Sequence, residues 1–140
     1  MSERRRYVVG FLFRNRSEVA LVSKTHPAWQ KGKLNGVGGG IDGAETPLEA
    51  MQREFLEEAG VAVESWREYA LMHEQDCDVY FFAAHGNYNI ESKTEEMVAW
   101  YKIEDLGSAP IINNLDWLIP LALDDKATSV TLSYVQDKRV

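Results

Sequence analysis

The order of elements in this chain predicts an α/β (α+β) fold built on a mixed β-sheet. Short strand-like runs and two helical stretches follow one another as β-β-loop-helix-β-β-β-helix-β, too rich in strands for a pure βαβ array. One helix carries its start and stop signals in its own residues. A chain of 140 residues, 45% hydrophobic and 26% charged, suits one soluble globular domain over residues 1–140 with a single core.

Taken in order, Tyr7–Phe13 and Val19–Thr25 read as two strands around the turn Arg14-Asn15-Arg16-Ser17-Glu18. The near-continuous apolar character of the first suggests burial on both faces. Residues 24–34 form a polar, irregular connection, in which Trp29 either covers the core edge or stacks on a base. Trp66–His73 and Val79–Ala84 are the next strands, and Met97–Ile103 a further one. Tyr80 and Tyr88 fit sheet positions or a base contact. Asn113 or Asn114 caps a last helix over Leu115–Leu123, where Pro120 should kink or break it. Val130–Val135 reads as a terminal edge strand and Asp137-Lys138-Arg139 as a loose end.

The informative stretch runs from Gly36 to Val61. Four glycines (Gly36, Gly38, Gly39, Gly40) let the backbone approach a ligand closely and expose its amides and carbonyls. Thr46-Pro47-Leu48-Glu49 is a capping box with proline at the first helical position, and Gly60 supplies the left-handed residue that ends a helix. The helix is therefore Pro47–Ala59. At about 100° per residue, Leu48, Met51, Phe55 and Ala59 fall on the core side. Glu54, Glu57 and Glu58 fall together on another side and repel one another. A bridging cation turns that repulsion into a site, and all-oxygen ligands suit Mg²⁺ or Mn²⁺. The plain alternative is a solvated acidic helix.

Gly39, Glu45, Arg53, Glu54, Phe55, Glu57, Glu58, Gly60 and Val61 have the spacing Gly, five residues, Glu, seven residues, Arg-Glu-apolar-any-Glu-Glu-any-Gly-apolar. This resembles the signature of the Nudix hydrolase family without gap or insertion. Seven positions require a single residue type, so chance gives about 10⁻⁹ per starting point. The resemblance implies an α/β/α sandwich and a metal-dependent hydrolase that cleaves a diphosphate bond in a nucleoside diphosphate linked to a group X, X being further phosphate or another moiety. It implies that Glu54, Glu57 and Glu58 hold the metal with the Gly38 carbonyl, and that Arg53 orients them. Glu45 either pairs with Arg53 or joins the outer metal shell. Glu95 or Glu96, on a later loop, is a further ligand or the general base, with Glu54 the other candidate for the base. Gly39, Gly40, Trp29 and Tyr80 are the expected substrate contacts.

Two departures stand in the loop. Many relatives carry Pro at the position of Val37 and often Lys at that of Gly40, which leaves one phosphate contact open. Group X is not readable: the Ser-Gln-Pro-Trp array of reduced-dinucleotide cleavers is absent after Val61, and Asp76 stands where ADP-ribose cleavers often have Pro. A Nudix-fold binding module without catalysis is the rival reading, and a capped or inositol polyphosphate the rival substrate.

The formal charge of −7 argues against a sequence-independent binder of nucleic acid polymers and leaves phosphate attraction to local cations. The lone Cys77 excludes an intramolecular disulfide and fits a reducing, cytoplasmic setting. Arg4-Arg5-Arg6 ahead of an apolar run reads as the start of a buried strand rather than a signal peptide. No segment approaches the length of a membrane span. Oligomeric state is left open, a homodimer included.

Overall fold

A computed structural model describes residues 4–126 and 129–133. Its strands are β1 (Arg5–Arg14), β2 (Glu18–Ser23), β3 (Leu34–Asn35), β4 (Val37–Gly40), β5 (Arg67–His73), β6 (Cys77–His85), β7 (Val98–Lys102) and β8 (Val130–Ser133). The helices are α1 (Pro47–Ala59) and α2 (Leu115–Leu123), with 3₁₀ turns at Ala28–Gln30 and Ile103–Ser108.

All eight strands join one mixed sheet, ordered β3-β2-β1-β6-β5-β8, with β4 on β1 and β7 on β2. β1 is its axis. It pairs in parallel with β6 from Arg5 to Phe13, while its other partners take separate stretches: β4 over Tyr7–Gly10 and β2 over Leu12–Arg14. The hairpin between β1 and β2 turns on Asn15 and Arg16, both at positive φ. β8 lies parallel to β5 at the edge, as a terminal edge strand should. Residues 134 and 135 of the expected terminal strand, and the expected loose end 137–139, lie outside the described residues.

Alternation along β1 sends side chains to two cores, as its apolar run requires. Phe11 and Phe13 join Tyr69, Met72 and the α2 residues Leu115, Leu118 and Ile119 on one face. Val8 and Leu12 join Val37 and the α1 residues Ala50, Met51, Phe55 and Ala59 on the other. The result is an α/β/α sandwich, with one helix against each face.

α1 begins and ends where its signals put it. The Thr46 hydroxyl accepts the Glu49 N–H at 3.1 Å, and the Glu49 carboxylate accepts the Thr46 N–H at 2.9 Å. Gly60 sits at φ 73°. Three details differ from expectation. Leu48 is 40% exposed, and Ala50 takes the buried place assigned to it. Asn114 occupies the cap position of α2 but makes no side-chain cap, and of the kink or break expected at Pro120 there is no break.

No helix among the described residues is long and apolar enough to cross a membrane.

Candidate active site

The glycines of β4 create the site by what they lack. A Cβ on Gly38 would fall 1.9 Å from the Val8 carbonyl oxygen, so only glycine permits this approach of β4 to β1. A Cβ on Gly39 would fall 2.6 Å from the Glu54 carboxyl carbon. The vacancy beside the Gly39 Cα is filled by that carboxyl, which explains how α1 turns acid groups toward the sheet.

Glu54 and Glu58 thus lie inside the buried arc of α1, which corrects the expected separation of a core side from an acid side. Counted from Leu48, Glu54 and Glu58 point at roughly 240° and 280°, between Ala50 at about 200° and Met51 at about 300°. Glu57, at about 180°, is outside that arc, with its side chain 57% exposed. The three acids are therefore not equivalent.

Glu58 is 8% exposed. Burial, and then its neighbour Glu54, push its carboxyl up to about 8. In this protonated form it donates a hydrogen bond to Glu54, whose own pKa burial also raises. The second Glu58 oxygen, Oε2, is buried without any hydrogen-bond partner. A buried orphan acceptor beside a shared proton is costly, and a cation replacing that proton would relieve both. Glu57 turns toward Arg53, and among the described residues no three acid, histidine or cysteine side chains converge in ligand geometry. The built part of the site is the Glu54–Glu58 pair, with Gly38 adjacent in β4.

Arg53 organises this pair from the solvent side. Its Nε and Nη2 donate to the two Glu45 oxygens at 2.7 and 2.9 Å, its Nη1 to Glu54 at 2.9 Å, and its Nη2 to the Gly40 carbonyl at 3.0 Å. Glu57 accepts a longer bond from Nη1 at 3.4 Å. The guanidinium beside it holds Glu45 down to about 2. Of the two roles expected for Glu45, the pairing with Arg53 is seen directly. One side chain ties the loop, β4 and α1 together.

The later-loop acids separate sharply. Glu95 is exposed. Glu96 is buried, and Lys24 Nζ donates to its Oε1 at 3.0 Å. Its Oε2 accepts from the Thr25 N–H at 2.6 Å, the Thr25 hydroxyl at 3.0 Å and the His26 N–H at 3.3 Å. Although burial opposes ionisation, these donors hold Glu96 down to about 2. Its carboxylate clamps the start of the 24–34 connection, a role the sequence did not signal. Lys24, held there, also places its charge in the field of Glu58, where it favours ionisation.

Of the expected substrate contacts, Gly39 faces Glu54, and Gly40 would leave open space around a Cβ. Trp29 is 65% exposed on its 3₁₀ turn and does not cover the core. Tyr80 is half-buried on β6 against the α1-side core. Burial and the adjoining Glu74 push the Cys77 thiol up to about 11, so it is a poor nucleophile.

A model of the NUDIX domain matches residues 3–120, most of the chain and all of the site just described. The chain belongs to the Nudix hydrolase family. Solved Nudix structures share its fold at low identity. The MutT protein of Bacillus halodurans is 20% identical with a TM-score of 0.74, over 95% of this chain and 92% of that one. A NUDIX hydrolase of Nitrosomonas europaea is 18% identical with a TM-score of 0.77, over 98% and 81%. The NUDIX domain of Shewanella oneidensis NrtR, complexed with ADP ribose, is 19% identical with a TM-score of 0.76, over 87% and 88%. No curated protein matches the sequence.

Proposed function

We propose that this Nudix hydrolase is divalent-metal-dependent and cleaves a diphosphate bond in a nucleoside diphosphate-X compound, a nucleoside triphosphate or related nucleotide. The observation that carries the reading is the Glu54–Glu58 pair against Gly39, with the Glu58 Oε2 buried and unpartnered. Glu54 and Glu58 would hold Mg²⁺ or Mn²⁺ with the Gly38 carbonyl, and Glu57 would join them on leaving Arg53. A bound ion would supply charge neutralisation at the bridging phosphates and a more acidic water.

The protein's own part is positioning. Arg53 fixes Glu54 and the loop carbonyl of Gly40 in one geometry. Lys24, anchored by Glu96, places a positive charge near the carboxyl pair, offset in part by Glu96 itself. Trp29, exposed on the 3₁₀ turn in the middle of the same connection, offers an aromatic face to a base. Glu54 or the exposed Glu95 takes the proton from water, since Glu96 is saturated by its donors. The acidic whole-protein charge argues against a nucleic acid polymer as the substrate.

A panel of nucleotides assayed for phosphate products with Mg²⁺, Mn²⁺ and EDTA tests this. Turnover with either metal and none in EDTA is expected. Full activity in chelator would defeat the mechanism. Nucleotide binding without turnover across the panel would instead support the non-catalytic module.

A further inference from the structure

Residues 86–97 join β6 to β7 without regular structure. They cross the end of α1 that carries Glu58. An α-helix leaves its last four carbonyls without partners inside the helix. The Gly60 N–H takes that of Leu56 at 3.0 Å, and the crossing segment takes two more. The Glu91 N–H donates to the Ala59 carbonyl at 2.8 Å, and the Lys93 N–H to the Glu58 carbonyl at 3.0 Å. Gly60 permits this approach. A Cβ there would fall 2.7 Å from Lys93 Cε and 3.3 Å from the Glu91 carbonyl oxygen.

Ser92 stands between those two amides, and its hydroxyl reaches forward along the chain. It accepts the Val98 N–H at 2.8 Å and donates to the Val98 carbonyl at 3.3 Å. Val98 opens β7, is buried, and lies opposite Val22 of β2. Thr94 repeats the device on Glu96, accepting its N–H at 3.1 Å and donating to its carbonyl at 3.3 Å. Glu96 in turn holds Lys24, Thr25 and His26. The strap 91–98 therefore ties the Glu58 end of α1 to the start of the 24–34 connection. Both ties meet at Ser92: its chain neighbours hold α1, and its side chain holds β7.

We propose that Ser92 is a positioning residue for hydrolysis, its hydroxyl fixing the spacing between the Glu54–Glu58 pair and the connection that carries Trp29. The inference rests on the hydrolase reading, in which chemistry occurs at one end of this spacing and the base is held at the other. A hydroxyl suits the task because it is donor and acceptor at once, so one side chain satisfies both backbone groups of Val98. Without it the strap is free to slide between its anchors. A shift of about an ångström at a reacting centre costs on the order of 10²-fold in rate.

Two measurements on Ser92→Ala and Ser92→Thr test this. In nucleotide kinetics with Mg²⁺, Ser92→Ala lowers kcat by about tenfold or more and leaves KM within about threefold of wild type. Ser92→Thr keeps the hydroxyl and recovers most of the rate, which separates the lost bond from a damaged fold. Wild-type kcat in the alanine variant, or equal losses in both variants, would overturn the proposal. Amide hydrogen exchange on the metal-free full chain reads the same tie without turnover. Ser92→Ala is expected to speed exchange at Lys93, bonded to α1, and at Thr25 and His26, whose N–H groups are bonded to Glu96. Faster exchange confined to Val98 would mark a purely local bond and overturn the proposal even in an active enzyme. A wild type inactive on every nucleotide defeats the hydrolase reading and with it the rate effect, and the exchange pattern then upholds or overturns the tie.

Discussion

The carboxyl group of Glu54 occupies the space that a side chain on Gly39 would fill, with a Cβ there only 2.6 Å from its carbon and from its Oε1. The clash is with the end of a flexible side chain, so the fold can absorb it. Gly39→Ala is expected to cost about 1 kcal/mol of stability, at the low end of overpacking. It moves a reacting group by about an ångström, and such displacements cost on the order of 10²-fold in rate. Gly40→Ala is the control, since its Cβ meets nothing within 4 Å. Thermal melts and steady-state rates on both variants separate the two effects.

The shared proton of Glu54 and Glu58 gives the metal-free protein a distinctive pH dependence. Glu58 titrates near 8 in the folded chain, above the ordinary carboxylate range. Between the unfolded value of about 4.3 and that folded value, the native state binds the extra proton, so stability falls as pH rises. Burial is incomplete and the proton is shared, so the total amounts to a few kcal/mol. Glu58→Gln mimics the protonated form. Melted in EDTA, it should match wild type near about pH 5 and exceed it near about pH 8. Parallel curves for the two proteins would refute the buried shared proton.

Arg53 can be tested by keeping its charge and removing its shape. It bridges Glu45, Glu54 and the Gly40 carbonyl through three nitrogens. A lysine cannot make that planar fork. Arg53→Lys is expected to lower kcat by about 10- to 100-fold through misplacement of Glu54. The helix itself should persist, because its capping box and Gly60 do not involve Arg53. Circular dichroism alongside kinetics checks both halves.

What could be read from the sequence divides by range. α1 matches its predicted limits residue for residue because Thr46, Pro47, Glu49 and Gly60 act within a turn of where they stand. The two-faced burial of β1 was legible from its unbroken apolar run. The asymmetry of the three glutamates was not, because it depends on the glycines of β4 lying against α1. Nor was the role of Glu96, which arises when β2 pairs with β7 and brings residues about seventy positions apart into contact. Leu48 was misplaced because periodicity fixes angles around a helix and not where the neighbouring sheet stops.

Glu96 supplies the last prediction. Its two oxygens accept four donors, all from Lys24, Thr25 and His26. Its folded value of about 2 lies below the ordinary one, so it contributes stability at neutral pH that is lost as pH falls from about 4.3 through 2. Glu96→Gln removes the charge, weakens three of these bonds and leaves Lys24 with a neutral partner in a half-dry setting. The expected cost is on the order of 2 kcal/mol, as for other buried charge-assisted bonds. The 24–34 connection then loses its anchor, and Trp29 with it. KM for a nucleotide should rise by about tenfold, the worth of one well-made charged contact, while Mn²⁺ affinity changes little. Glu95→Gln should leave stability and KM near wild type and lower kcat if Glu95 is the base. Loss of Mn²⁺ binding in Glu96→Gln, with KM intact, would show that its carboxylate serves the metal and not the connection.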